Sequence, residues 1–185
     1  AVSIASALIH DVVEDNSEHT LEIIQKKFGD KIAKIVDGLT KIGKLNTKGY
    51  SDVSIQAENY RKMLLTLNED VRVIIIKIAD RLHNMQTLAS MPNEKQIQKA
   101  SETLYIYAPL AHRIGLFNIK TELEDLGLKY TDPETYNEIS KKLIESKKDQ
   151  DEYIKKFNSI ISSTLTKEKL KYNIKGRTKS IFSIN

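Results

Sequence analysis

The chain has 185 residues, 40% hydrophobic and 29% charged, with a net charge of +4. This is enough apolar material for one packed domain and part of another, and it excludes a helical membrane span, because no apolar run reaches the ~20 residues one requires. The absence of cysteine excludes a disulfide framework and a thiolate metal site and fits a cytoplasmic protein; acids interleave with lysines and arginines, so no tract reads as a DNA-binding strip.

Seven glycines and three prolines are all that punctuate the chain, and most of it reads as helix. Residues 2–14 carry Val2, Ala5, Leu8, Ile9, Val12 and Val13 as an apolar stripe at helical spacing. A short helix over 21–28 is closed by Gly29; Asp30 caps the next, about 31–42, with Ile32, Ile35, Val36 and Leu39 inward. "GKLNTKGYSD" (43–52) reads as a long polar loop, and about 53–67 as a helix. "NED" (68–70) caps a helix over about 71–89 that Pro92 ends; another follows over 94–112, with Pro109 as a kink or break. Gly115 separates it from 118–130. Asp132 and Pro133 start a long charged helix, about 134–164, of connector type. Beyond it Leu170, Tyr172 and Ile174 alternate with polar residues, the period of a strand.

Two segments carry chemistry. In "ALIHDVVEDN" (7–16), helical spacing puts His10 beside Glu14 and Asp11 beside Asp15. Three carboxylates so close repel one another unless a cation compensates, and a neutral imidazole beside a carboxylate suits Mn, Fe or Zn better than Ca. The other reading is a solvated acidic helix end. In "VRVIIIKIADRLHNMQTL" (71–88), Asp80 falls mid-helix after an apolar run, with Asn84 and Thr87 on its face and Arg81 and His83 flanking. A carboxylate there needs a partner. Arg81, Arg61 or a lysine provides one; a metal shared with His10 and Asp11 is the alternative.

Together, "HDVVED" and "IADRLHNMQTL", about 70 residues apart, resemble the HD superfamily of metal-dependent phosphohydrolases, and more closely the hydrolase domain of the RelA/SpoT family of bifunctional (p)ppGpp synthetase/hydrolases. "FGDKIAKIVDGLTKI", "QAENYRKMLL", "YAPLAHRIGLFNIKTELEDL" and "GRTKSIFSI" resemble the same family in the same order, so the likeness spans essentially the whole chain. It implies an all-α HD helical bundle over 1–130, a helical connector over 131–168, and over 169–185 the first strand of a truncated α/β synthetase domain. The activity it implies is metal-dependent removal of the 3′-pyrophosphate from (p)ppGpp in stringent-response control, with Mn²⁺ as cofactor. The implied metal ligands are His10, Asp11 and Asp80. Glu14 and Asp15 would orient or activate water, Asn84 and Thr87 would line the nucleotide pocket, and Arg81 and His83 would shape it. Arg177, Lys179 and Ser183 match the synthetase's donor-nucleotide motif. The implied partners are the guanine nucleotide and the downstream synthetase and regulatory domains, with no membrane.

The family's metal site takes a further histidine from a helix upstream of the HD pair, which has no counterpart in this sequence; His19 and His112 are expected in local, non-ligand roles. The synthetase's catalytic acids lie beyond Asn185 in the family, so the chain reads as a piece of a longer protein that does not synthesise (p)ppGpp by itself. Arg61, Lys62, Lys41 and Lys44 are candidate cations for the leaving pyrophosphate. Two further readings stand beside hydrolysis: a non-catalytic nucleotide-binding or regulatory HD module, and an HD phosphohydrolase of another nucleotide.

Overall fold

The computed structural model describes residues 1–15, 19–43, 70–176 and 178–185, without the side chains of Glu14 and Asp15. The expected 43–52 loop and 53–67 helix lie essentially outside the described residues, as do Arg177, Arg61, Lys62 and Lys44. Described residues are helical almost throughout, with no strand among them. The helices are α1 (Val2–Asp15), α2 (Leu21–Phe28), α3 (Asp30–Gly43), α4 (Val71–Gln86), α5 (Asn93–Glu102), α6 (Ala108–Arg113), α7 (Phe117–Thr131), α8 (Pro133–Glu145), α9 (Lys147–Lys167) and α10 (Ile181–Ile184). The chain divides into two compact units, Ala1–Gly127 and Leu128–Asn185.

In the first unit α3 is the hub: α1, α2 and α4 all pack on it. Its buried residues Ile35, Val36, Leu39 and Ile42 recur at helical spacing, and α4 answers with Val73, Ile74, Ile76, Ile78 and Met85. The two helices come closest at Gly38, where an added Cβ would stand 2.9 Å from Val73 Cγ2 and 3.3 Å from Cγ1. Val73 is β-branched and cannot swing aside within a helix. Gly38→Ala therefore sets about 1 kcal/mol of better helix propensity against about 1–3 kcal/mol of overpacking, and a net loss of stability of up to about 2 kcal/mol is expected. Urea melts of Gly38→Ala alone and with Val73→Ala test this: the second change should remove the clash, and equal losses with and without it would refute the contact.

Several local expectations are corrected. α1 turns Ser6 and His10 inward and leaves Leu8 78% exposed, with Ile4 and Val12 also outside. The helix is apolar on nearly every side, so its stripe does not decide which side packs. Asp30 is the first residue of α3 rather than its cap: Gly29, at φ 85°, makes the turn and accepts the Ala33 N–H, while the Asp30 carboxylate accepts from Gln25 Nε2 at 2.8 Å. α4 stops at Gln86 and gives way to a 3₁₀ turn, Leu88–Ser90. Its cap is as expected: Asp70 accepts from Arg72 N, and hydrogen bonds from the Arg72 side chain hold its carboxyl below the usual carboxylate range. Pro109 does not break its helix. It has no N–H to give, and the chain resets just before it in a π turn (Thr103–Tyr107), where Ala108 N–H bonds to Thr103 O five residues back.

In the second unit the single long helix is two, α8 and α9, joined at Ser146, whose hydroxyl donates to Lys142 O at 2.8 Å. α8 starts on Asp132, whose carboxylate accepts from Thr135 N at 3.1 Å. Residues 170–176 form no strand: the alternation is present, but a strand needs a partner for its ladder and the described residues supply none. Ser180 instead caps the short α10. α9 ends in a Schellman turn, Leu170 N to Leu165 O at 3.1 Å and Lys169 N to Thr166 O at 3.0 Å, with Lys169 in the left-handed region at φ 54°. A side chain there costs roughly 1–2 kcal/mol, against roughly 0.4–1 kcal/mol of extra unfolded-state entropy for glycine. Lys169→Gly is expected to stabilise by about 0.5–1 kcal/mol, read as a higher urea midpoint by circular dichroism; a lower midpoint would contradict the assigned turn.

Candidate functional site

His10 sits on the inward side of α1, 6% exposed. Its Nδ1 lies 2.8 Å from Ala7 O, one turn back. A carbonyl only accepts, so Nδ1 carries the proton, and in a neutral ring Nε2 is then a bare lone pair. That Nε2 is buried and forms no hydrogen bond, yet it lies 2.8 Å from Asp11 Oδ1. An imidazolium would turn the contact into an ion pair, but the approach lacks hydrogen-bond alignment. Two electron-pair donors facing each other at this distance are what a cation reconciles, and a histidine whose other nitrogen is fixed by a carbonyl is how protein metal ligands are oriented. The pair fits a divalent cation on donor chemistry.

The second group of site residues lies on α4, which packs against α1. Asp80 is half-buried; Oδ1 accepts from Asn84 Nδ2 at 3.0 Å and Oδ2 is 3.5 Å from Lys77 Nζ. Thr87 donates to His83 O at 3.0 Å, and Asn84, Thr87 and His83 are exposed on the same stretch. The structure thus joins His10 with Asp11, and Asp80 with Asn84, on two neighbouring helices. Among the described residues no group of three or more His, Asp or Glu is gathered to hold a metal. Glu14 and Asp15 form the end of α1 by backbone, and their side chains lie outside the described residues. Of the partners the sequence offers Asp80, arginine or lysine, the structure supplies a lysine, Lys77, three residues back on the same face.

Arg81 takes a different direction from its neighbours. It is 8% exposed, and its guanidinium donates to Glu102 Oε2 at 2.7 Å and lies 4.1 Å over the Tyr107 ring. Burial alone would lower its pKa, but Tyr107 and Glu102 outweigh burial and raise it above the ordinary arginine value. Glu102 is 1% exposed, with Oε1 left without a hydrogen bond. Neither Glu102 nor Tyr107 has a sequence signal, because the pairing spans 21 residues. His112 is exposed and packs edge-on against Phe117 at 5.5 Å, a local contact. Lys41 pairs with Asp37 at 2.6 Å. In the second unit Lys179 is exposed beside a groove lined by Leu143, Tyr153 and Ile154, and the Ser183 hydroxyl meets Ser180 Oγ at 2.9 Å.

The profile of the HD domain family matches residues 1–117. The chain belongs to the HD domain family. The match takes in α1 and α4, and so both groups of site residues in this HD domain. The chain is also 44% identical over 183 residues to a GTP pyrophosphokinase of Myxococcus xanthus, covering 98% of this chain and 24% of that protein. It is 45% identical over 186 residues to a guanosine-3′,5′-bis(diphosphate) 3′-pyrophosphohydrolase of Aquifex aeolicus, covering 98% and 25%. The chain spans about a quarter of the length of the curated relatives it matches. These relatives bear out the resemblance to the RelA/SpoT hydrolase domain, and the helical architecture bears out the all-α fold. Among the described residues of this HD domain protein, no helix is long and apolar enough to cross a membrane.

Proposed function

We propose that the chain contains the hydrolase of a RelA/SpoT-type enzyme, removing pyrophosphate from the 3′ position of (p)ppGpp with Mn²⁺ as cofactor. The observation that carries the reading is the buried, unbonded His10 Nε2 facing Asp11 Oδ1 at 2.8 Å, a donor pair whose chemistry suits a divalent cation. His10, Asp11 and Asp80 would hold the metal. Bound there, Mn²⁺ would supply Lewis acidity at a phosphoryl oxygen and lower the pKa of water. Ala7 O keeps the His10 ring in the tautomer that leaves Nε2 free. Glu14 and Asp15, at the end of α1, would hold the attacking water and take its proton. Asn84 orients the Asp80 carboxylate through its amide and, with Thr87, would line the nucleotide pocket. The hydrolase would occupy 1–130 and a connector 131–168. Residues 169–185, with Arg177, Lys179 and Ser183, would begin the synthetase domain of the same cytoplasmic protein.

A second reading, a nucleotide-binding or regulatory module without turnover, draws on the Asp80 carboxylate being engaged by Lys77 and Asn84. Pyrophosphate release from ppGpp by the full-length protein, with Mn²⁺ and with chelator, decides between them. The hydrolase reading expects Mn²⁺-dependent release that Asp80→Ala lowers by at least about 100-fold, beyond the range of changes around metal ligands. Nucleotide binding with no release would favour the module; undiminished release in Asp80→Ala would remove Asp80 from the metal site.

A further inference from the structure

Glu102 and Tyr107 are five residues apart, and in an α-helix side chains five apart point about 140° away from each other. Yet both meet one guanidinium: Arg81 Nη2 donates to Glu102 Oε2 at 2.7 Å, and the guanidinium carbon lies 4.1 Å over the Tyr107 ring. The π turn Thr103–Tyr107 explains this. Its bond from Ala108 N–H to Thr103 O brings residues five apart into register, and Pro109 follows directly. A third hold comes from the backbone, Arg81 Nη1 to Lys99 O at 3.4 Å. A planar fork gripped along an edge, over a face and at a second nitrogen is fixed in rotation as well as in place, which an ammonium group would not be.

Arg81 is the next residue after Asp80, about 100° round α4. Fixing one fixes the angle at which the other is presented. We propose that Arg81, Glu102 and Tyr107 form a positioning clamp that sets the rotation of α4 and so aims Asp80 and Asn84 at the metal and nucleotide. Arg81 then acts from behind the site and does not touch the nucleotide. The inference rests on the hydrolase reading for what Asp80 does, and on the packing alone for what the clamp does.

The test replaces the pair by apolar groups of similar size, Arg81→Met/Glu102→Leu, in the full-length protein, measuring thermal midpoint, Mn²⁺ affinity by electron paramagnetic resonance, and kcat and KM on ppGpp. A clamp predicts a folded variant whose midpoint is kept but whose Mn²⁺ affinity and kcat each fall at least about tenfold, the scale of changes around metal ligands, with KM moving less. A folded variant with unchanged affinity and kcat overturns it. Should the double variant not fold, Arg81→Lys, which keeps the charge and loses the planar fork, is judged by the same readouts. If the unaltered protein binds Mn²⁺ without hydrolysing ppGpp, the hydrolase reading fails while Mn²⁺ affinity still decides the clamp; if it binds no Mn²⁺, both fail.

Discussion

Saturating Mn²⁺ is expected to raise the unfolding free energy of the HD domain by about 2.7 kcal/mol at a hundredfold excess over Kd, and His10→Ala to abolish that gain. The sign follows from linkage: a cation that binds only where His10 and Asp11 are held together stabilises only the folded state. The ring is pre-set for the task, because Ala7 O fixes the proton on Nδ1 and leaves Nε2 against Asp11 Oδ1. Removing a buried ring also leaves a cavity, so the metal-free variant loses stability of its own. The discriminating quantity is therefore the difference between melts with Mn²⁺ and with chelator, taken within each variant, since cavity cost cancels there. Asp11→Asn keeps size and removes charge, and should shrink the gain as well. A full metal-induced gain in His10→Ala would mean the cation sits elsewhere and His10 is only a packed core histidine.

How much of this was legible in the sequence depended on whether its cause was local. Helix positions were legible, because buried residues such as Ile35, Val36 and Leu39 recur at helical spacing and Asp70 and Asp132 carry their own capping chemistry. The inward side of α1 was not, because apolar groups cover most of the helix, yet the packing on α3 buries the side that carries Ser6 and His10 and leaves Ile4 and Leu8 outside. The alternation at 170–174 stated a preference that only a neighbouring strand could satisfy. At the site, Asp80 beside Asn84 follows from i+4 spacing, whereas the approach of His10 Nε2 to Asp11 Oδ1 does not, because residues one apart point about 100° from each other on a helix. Nor does the direction of Arg81, because both its partners arrive from another element through a π turn whose only local trace is Pro109. A motif names residue types; which way each one points is set by packing that the motif does not contain.

That same pair gives the largest expected change in stability. Glu102→Leu alone should cost about 3–5 kcal/mol, since it leaves the Arg81 guanidinium buried with no counter-charge. Lys99, 3.8 Å from the same carboxylate, adds a second cation, and losing Glu102 leaves the two facing each other. The intact pair is not thereby a strong net stabiliser. Each ion has given up its water, and the orphaned Glu102 Oε1 shows that the carboxylate is only partly compensated. Adding Arg81→Met to Glu102→Leu should therefore restore most of the loss, and for buried ion pairs the apolar replacement is often neutral or better by about 1–4 kcal/mol. Denaturant melts of the two single variants and the double give the coupling energy directly. Additive losses would mean that the two side chains do not depend on each other. A double variant as stable as the original makes a different point: residues so buried and so tightly held would then be retained for where they hold α4, not for how firmly they hold the fold.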